Sequence, residues 1–168
     1  MIQVDVPHAL CQSCRQCCHF MTPPEMTPFA SRLPSNPEQT DALPPEFRVS
    51  GISLSLSPGH REGLTVWTCT LLDEEKAVCG AWPGHPLDCR IYPLVFTLDQ
   101  GDPWIALDST CPFSSHRPKD WFLEKALEIR DQYWDQWDDC RKRSLCYHFS
   151  LDTFPNRTLL VRLDRPQT

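Results

Sequence analysis

Four cysteines within eight residues constrain this chain more than any other feature of its sequence. Cys11, Cys14 and Cys17 are each separated by two residues, and Cys18 follows directly. Two intervening residues let the backbone turn and present successive thiolates to one centre, which is a spacing that metal sites use. Adjacent cysteines do not easily form a disulfide with each other. The spacing therefore favours metal ligation over a disulfide scaffold.

Further cysteines extend this cluster. The chain has 168 residues and ten cysteines, and one of the later cysteines is followed directly by a proline, Pro112. Eight thiolates would supply two four-cysteine sites, or one such site with additional sulfurs around it. We therefore predict one or two metal centres with the ligands Cys11, Cys14, Cys17, Cys18, Cys69, Cys79, Cys89 and Cys111.

The spacing also bears on the identity of the metal, because zinc and iron–sulfur clusters both accept four thiolates. Bacterial ferredoxins hold a [4Fe-4S] cluster with a C-x2-C-x2-C run and a remote cysteine before proline. The run Cys11 to Cys17 and the pair Cys111-Pro112 follow that spacing. Structural zinc sites more often use two separated C-x-x-C pairs, and the second half of the chain lacks such a pair. We expect an iron–sulfur cluster, [4Fe-4S], with zinc as the alternative.

Charge and hydropathy restrict the other partners. The net charge of −6 argues against a nucleic-acid surface, which needs clustered Lys and Arg. No apolar run is long enough to span a membrane, so we expect no membrane partner. The first residues, Met1 to His8, show no basic region followed by an apolar stretch, as a secretory signal would. The sequence thus favours a cytoplasmic protein with reduced cysteines, and it leaves a protein partner open.

A second motif follows Cys89, where the chain reads Arg90-Ile91-Tyr92-Pro93-Leu94. Together with the cysteines named above, it makes residues 8 to 115 resemble the CxxCxxCC family of YkgJ-type cysteine-cluster proteins. Gln16 and His85 stand where this family usually has glycine and arginine, which indicates a divergent branch. The resemblance implies zinc or iron chelation. Flagellin lysine methylases carry a related cysteine cluster, which implies that an iron–sulfur centre fits this family.

Periodicity predicts the elements before the C-terminal helix. Residues 22–47 hold seven prolines and are expected to form an irregular arm with a short helix near residues 36–42, or a disordered linker. Strands are predicted where apolar, β-branched and aromatic residues alternate or cluster, with a hairpin connection at Asp99–Pro103. The predicted strands are Val49–Leu56, Leu64–Cys69, Ile91–Leu98, Trp104–Leu107 and Thr158–Leu163.

One long helix is predicted from Pro118 to about Cys140. One face of this helix is apolar, and the opposite face is acidic, which is typical of solvated surface. We predict an α+β fold: a small, cysteine-rich, loop-rich domain with a short antiparallel sheet and one long C-terminal helix. Residues 1–168 would form a single domain, with a metal-binding region at 8–115 and a C-terminal annex at 116–168. The apolar helix face comprises Phe122, Ala126, Ile129, Tyr133, Trp137 and Cys140, widened by Leu123, Leu127 and Trp134.

The remaining candidates carry weaker signals. Cys140 lies on the apolar helix face and is expected to be a buried thiol, and Cys146 also lies outside the cysteine pattern. His19 and His85 flank cysteines and are either alternative ligands or ordinary packing residues. Arg90 either donates to a cluster sulfur or pairs with a carboxylate.

Sequence motifs do not decide whether the protein is an enzyme. The sequence contains no P-loop, dinucleotide fingerprint or zinc-protease motif, and it shows no obvious acid–base constellation. We therefore expect a binding or sensing protein whose metal is structural or redox-active. The alternative is an iron–sulfur enzyme or enzyme accessory for methyl or electron transfer.

Overall fold

The computed structural model describes residue 4 and residues 6–14, 18–20, 56–61, 63–69, 71–79, 87–139, 142 and 156–165. These residues divide into two compact units, Val6–Cys89 and Met1–Asp5 with Arg90–Thr168. Both contain short antiparallel strands and helices, which confirms the α+β prediction. The predicted arm at 22–47 lies outside the described residues, as do Cys17, His85, Cys140 and Cys146.

The unit Val6–Cys89 is built around a three-stranded antiparallel sheet. Its central strand is Leu64–Cys69, which lies between His19–Phe20 and Leu56–Arg61. A separate two-stranded hairpin consists of Leu72–Asp73 and Val78–Cys79. The predicted strand Leu64–Cys69 is confirmed at both ends. Of the predicted strand Val49–Leu56, only Leu56 falls within the described residues, where it begins β2. The elements are α1 (His8–Cys14), β1 (His19–Phe20), β2 (Leu56–Arg61), β3 (Leu64–Cys69), β4 (Leu72–Asp73) and β5 (Val78–Cys79).

A second three-stranded antiparallel sheet organises the other unit. Its strand order is β6 (Leu94–Asp99), β7 (Asp102–Asp108) and β8 (Arg157–Arg162). The chain enters it through a short helix, α2, and leaves β7 through a 3-10 turn that leads to the long helix α3. The bounds are α2 (Leu87–Ile91), β6 (Leu94–Asp99), β7 (Asp102–Asp108), a 3-10 turn (Pro112–Ser115), α3 (Lys119–Gln132), a second 3-10 turn (Trp134–Gln136) and β8 (Arg157–Arg162).

Strand β6 begins later than predicted. Ile91 is the last residue of α2 rather than the first of a strand, and the ladder starts at Leu94. Pro93 separates them, and proline has no N–H to donate to a ladder. The predicted hairpin at Asp99–Pro103 is confirmed, because Gln100 and Gly101 both have positive φ, +50° and +79°. That combination is typical of the tight turns that match the twist of paired strands.

Helix α3 packs its apolar face against β7 and β8. Phe122, Ala126 and Ile129 are buried, as the spacing predicts. The helix nevertheless ends at Gln132, well before the predicted end at Cys140. Trp134 follows on the second 3-10 turn and is 0 % exposed.

The aromatic side chains at this end of α3 fill the core of the sheet. Trp134 stacks on Phe96 of β6 with a 6.1 Å separation of ring centroids. Its indole N–H donates to the Asp164 carbonyl over 3.2 Å, which satisfies the polar group that burial would otherwise leave unpaired. Of the three aromatic residues at this end of α3, Trp134 is buried, whereas Tyr133 and Trp137 are half-buried.

Candidate metal centre

Helix α1 presents the first two cysteines of the cluster. Cys11 and Cys14 lie three residues apart within its seven residues, so both side chains fall on one face of the helix. The Pro7 carbonyl accepts hydrogen bonds from the backbone N–H groups of Leu10 and Cys11, at 2.9 and 3.2 Å, and starts the helix. Cys11 is exposed and Cys14 is half-buried. This face therefore offers two neighbouring thiols, one of them accessible to solvent.

Strand pairing brings a third and a fourth cysteine together. His19 pairs with Thr68 and Phe20 with Trp67 in the antiparallel β1–β3 ladder. Cys18 directly precedes His19, and Cys69 directly follows Thr68, so both cysteines lie at the same end of this ladder. Cys69 is buried and Cys18 is half-buried. The sheet thus brings two cysteines that are far apart in sequence to the same end of one ladder.

His19 follows Cys18 in sequence, and its ring contacts Thr68. Its Nδ1 atom lies 3.1 Å from the hydroxyl oxygen of Thr68, which is buried. Successive side chains of a strand point to opposite faces of the sheet, so Thr68 and Cys69 face opposite ways. His19, paired directly with Thr68, lies on the face away from the Cys69 thiol. The structure therefore places His19 as a contact between strands rather than beside Cys69.

A tight hairpin carries Cys79. Cys79 ends β5 opposite Leu72 of β4 and is half-buried. In the connecting turn, Asp73 accepts hydrogen bonds from the backbone N–H and the Nζ atom of Lys76, both at 3.0 Å. These bonds, the backbone one foremost, hold the pKa of Asp73 below its ordinary value. The hairpin thus fixes the strand end at which the thiol sits.

Cys89 lies in helix α2 and is half-buried. Arg90 follows it and is only 2 % exposed, so its guanidinium lies inside the protein. The Arg90 carbonyl accepts a hydrogen bond from the Val4 N–H over 2.9 Å. A buried guanidinium requires charge or hydrogen-bonding groups around it. Burial therefore agrees with either predicted partner of Arg90, a cluster sulfur or a carboxylate.

Cys111 opens the 3-10 turn after β7 and is buried. Its N–H donates to the Asp108 carbonyl at 3.4 Å, and its own carbonyl accepts from the Ser114 N–H at 2.9 Å. Pro112 takes the first position of the turn, where a missing N–H costs nothing. The Cys-Pro pair that the sequence singles out is therefore a defined turn.

A hydrogen-bonded group beside Cys111 was not predicted from the sequence. The Tyr92 hydroxyl donates to Asp108 Oδ2 over 3.0 Å. Thr110 donates to Oδ1 of the same carboxylate from its N–H and its hydroxyl, at 2.9 and 2.6 Å. Burial raises the pKa of Tyr92 above its ordinary value, and the negative charges of Asp108 and Cys111 add to that effect. The sequence signal for this group was the tyrosine in the motif after Cys89.

A sequence model of the family described as "CxxCxxCC: Putative zinc- or iron-chelating domain" matches residues 10–112. The chain belongs to this family. The matched range contains all eight predicted ligands and ends before Cys140 and Cys146. No curated protein and no solved structure matches the chain. Membership supports metal binding in general, with zinc or iron as the metal.

The described part of this CxxCxxCC chain shows pairs of candidate ligands. Within it, no group of three or more His, Cys, Asp or Glu side chains is arranged to hold a metal ion. Among the described cysteines, no two are joined in a disulfide. Cys17, the third member of the C-x2-C-x2-C run, lies outside the described residues. The eight-ligand set therefore stays a prediction.

Over the described residues, no helix is both long and apolar enough to cross a bilayer.

Proposed function

We propose that this CxxCxxCC protein binds an iron–sulfur cluster, [4Fe-4S], through its clustered cysteines, in a structural or redox-sensing role. The observation that carries the proposal is the C-x2-C-x2-C run with a remote Cys-Pro, in a chain whose family is described as "Putative zinc- or iron-chelating domain". One or two centres would draw their ligands from Cys11, Cys14, Cys17, Cys18, Cys69, Cys79, Cys89 and Cys111.

The local geometry of the described cysteines supports thiolate ligation. Cys11 and Cys14 share one face of α1, and Cys18 and Cys69 lie at the same end of the β1–β3 ladder. Thiolates gathered around one centre repel one another unless a cation neutralises them. Metal binding is therefore coupled to folding of the unit Val6–Cys89, and loss of the metal destabilises it.

Burial supports a tuned redox centre over an accessible catalytic one. Cys69 and Cys111 are both buried. The reduction potential of an iron–sulfur cluster depends on solvent exposure and on hydrogen bonds to its sulfurs. Buried sulfur ligands shield a cluster from water and stabilise its potential. We also propose that the protein works in the cytoplasm, where cysteines stay reduced.

The test is the visible spectrum of protein purified without oxygen. An iron–sulfur protein is brown, and dithionite bleaches its absorbance. Cys14→Ser should abolish this colour because it removes a ligand of the run, whereas the matched control Cys146→Ser should keep it. A colourless protein with stoichiometric zinc would overturn the iron–sulfur assignment and keep metal binding. A protein without any bound metal would overturn both.

A further inference from the structure

Two hydrogen bonds tie the segment after helix α2 to the segment before Cys111. The Asp108 N–H donates to the Pro93 carbonyl over 2.9 Å. The Tyr92 hydroxyl donates to Asp108 Oδ2 over 3.0 Å and lies 3.4 Å from the Thr110 hydroxyl. Tyr92 and Asp108 are sixteen residues apart in sequence. Their contact is therefore a tertiary connection between two segments of the chain.

The carboxylate at the centre of this connection is buried and fully engaged. Asp108 is 6 % exposed, and a buried carboxylate is costly unless donors surround it. Tyr92 supplies a donor to Oδ2, and Thr110 supplies two donors to Oδ1. Both oxygens are thus held, one from within the turn and one from outside it. Tyr92 is the only one of these donors that the turn itself does not provide.

This turn sets the backbone of Cys111. The Cys111 N–H donates to the Asp108 carbonyl, and Thr110 directly precedes the cysteine. A shift of Asp108 would therefore move the atom from which the Cys111 side chain extends.

We propose that Tyr92 is a positioning residue for Cys111: through Asp108, it fixes the turn from which the Cys111 thiolate reaches a metal. This inference rests on the proposed function, because it concerns one of the proposed ligands. Residues that orient a metal ligand typically change metal affinity about 10–100-fold when they are replaced. Tyr92 acts through the carboxylate and the turn, and it is not itself a ligand.

The experiment compares Tyr92→Phe with Tyr133→Phe in the metal-loaded protein. Both variants remove one hydroxyl from a half-buried tyrosine of the same unit, and Tyr133 packs its ring against Trp137. The measurements are the concentration of an iron or zinc chelator that removes half of the bound metal, and the visible and paramagnetic spectra of the centre. We expect Tyr92→Phe to lose metal at an about 10–100-fold lower chelator concentration, with an altered spectrum, and Tyr133→Phe to match the wild type.

The outcomes separate this inference from the proposed function. A wild-type protein that binds no metal overturns the proposed function. A wild type that binds metal, with Tyr92→Phe equal to Tyr133→Phe in metal retention and in spectrum, overturns the positioning role alone. If Tyr92→Phe does not fold, the Thr110→Val variant takes its place in the test. It removes one donor to the same carboxylate, and Thr110 itself is exposed. Unchanged metal retention and spectrum in Thr110→Val would then overturn the inference.

Discussion

His19 Nδ1 lies 3.1 Å from Thr68 Oγ1, across the ladder that joins β1 to β3. Cys18 and Cys69 are the next residues beyond this contact, one on each side of the ladder. The described part of β1 has only two residues, so few backbone hydrogen bonds hold it to β3. The His19–Thr68 contact therefore adds a side-chain hydrogen bond at the end of the ladder where these two cysteines lie.

Replacing Thr68 with valine should weaken both the fold and the site. Valine keeps the branched shape but removes the hydroxyl, and a hydrogen bond of this kind stabilises a protein by about 0.5–1.5 kcal/mol. We expect a loss of about 1 kcal/mol in the free energy of unfolding, together with reduced metal retention. Thr65→Val is the matched control, because Thr65 is exposed on the same strand. Equal unfolding curves for the two variants would refute the role given to Thr68.

Cys18 and Cys69 should prove equivalent when they are replaced singly. If the two are neighbouring ligands, Cys18→Ser and Cys69→Ser each remove one thiolate from the same place and lower the metal content alike. Cys146→Ser, outside the matched family range, should keep its metal. The measurement is bound metal per chain after anaerobic purification. Unchanged metal content and stability in Cys18→Ser would remove Cys18 from the ligand set.

The alkaline titration of the tyrosines should identify Tyr92. Burial and the Asp108 carboxylate raise its pKa in the folded protein. A raised pKa means that the phenol contributes stability below its unfolded-state value of about 10, and that this contribution is lost as the pH rises above that value. As the pH rises, the tyrosinate absorbance of the wild type should therefore show one late phase, in which Tyr92 ionises only when the protein unfolds. The Tyr92→Phe variant should lack this late phase. The prediction is wrong if Tyr92→Phe instead loses a phase that titrates at the ordinary tyrosine pKa.

The core of the unit that contains α3 can be tested with two aliphatic residues of that helix. Ile129 is 0 % exposed, whereas Leu123 is 36 % exposed. Ile129→Ala should cost about 2–5 kcal/mol in unfolding free energy, because it removes buried surface and leaves a cavity. Leu123→Ala should change stability by about 0.5 kcal/mol or less, as surface substitutions do. Denaturant unfolding of the metal-loaded variants measures both, and a comparable cost for the two would contradict the packing of α3.

Local patterns predicted the elements that local chemistry determines. Strand β3 was predicted to the residue because Leu64–Cys69 is rich in β-branched and aromatic side chains. The β6–β7 hairpin followed from its turn residues, and Gly101 takes a positive φ there. The buried face of α3 followed from helical spacing at Phe122 and Ile129. The α+β class and the family were both evident from the sequence.

Contacts between distant segments escaped sequence reasoning. Trp134 lies beyond the end of α3 and packs against Phe96 in the core, which the spacing along the helix alone does not reveal. The hydrogen bond between Tyr92 and Asp108 joins two separate segments of the chain, and no periodicity in the sequence indicates it. Likewise, the placement of Cys18 and Cys69 at the same end of one ladder depends on the register between two strands. Side-chain type showed which residues were candidates, and tertiary structure shows which of them meet.

The iron, sulfide and zinc content of anaerobically purified protein tests the central claim most directly. If the clustered cysteines hold [4Fe-4S], each cluster brings about four iron and about four acid-labile sulfide ions, and zinc is negligible. We predict this equal ratio of iron to sulfide in the wild type and its loss in Cys14→Ser. Stoichiometric zinc without sulfide would contradict the iron–sulfur assignment, and a chain free of both metals would contradict the account as a whole.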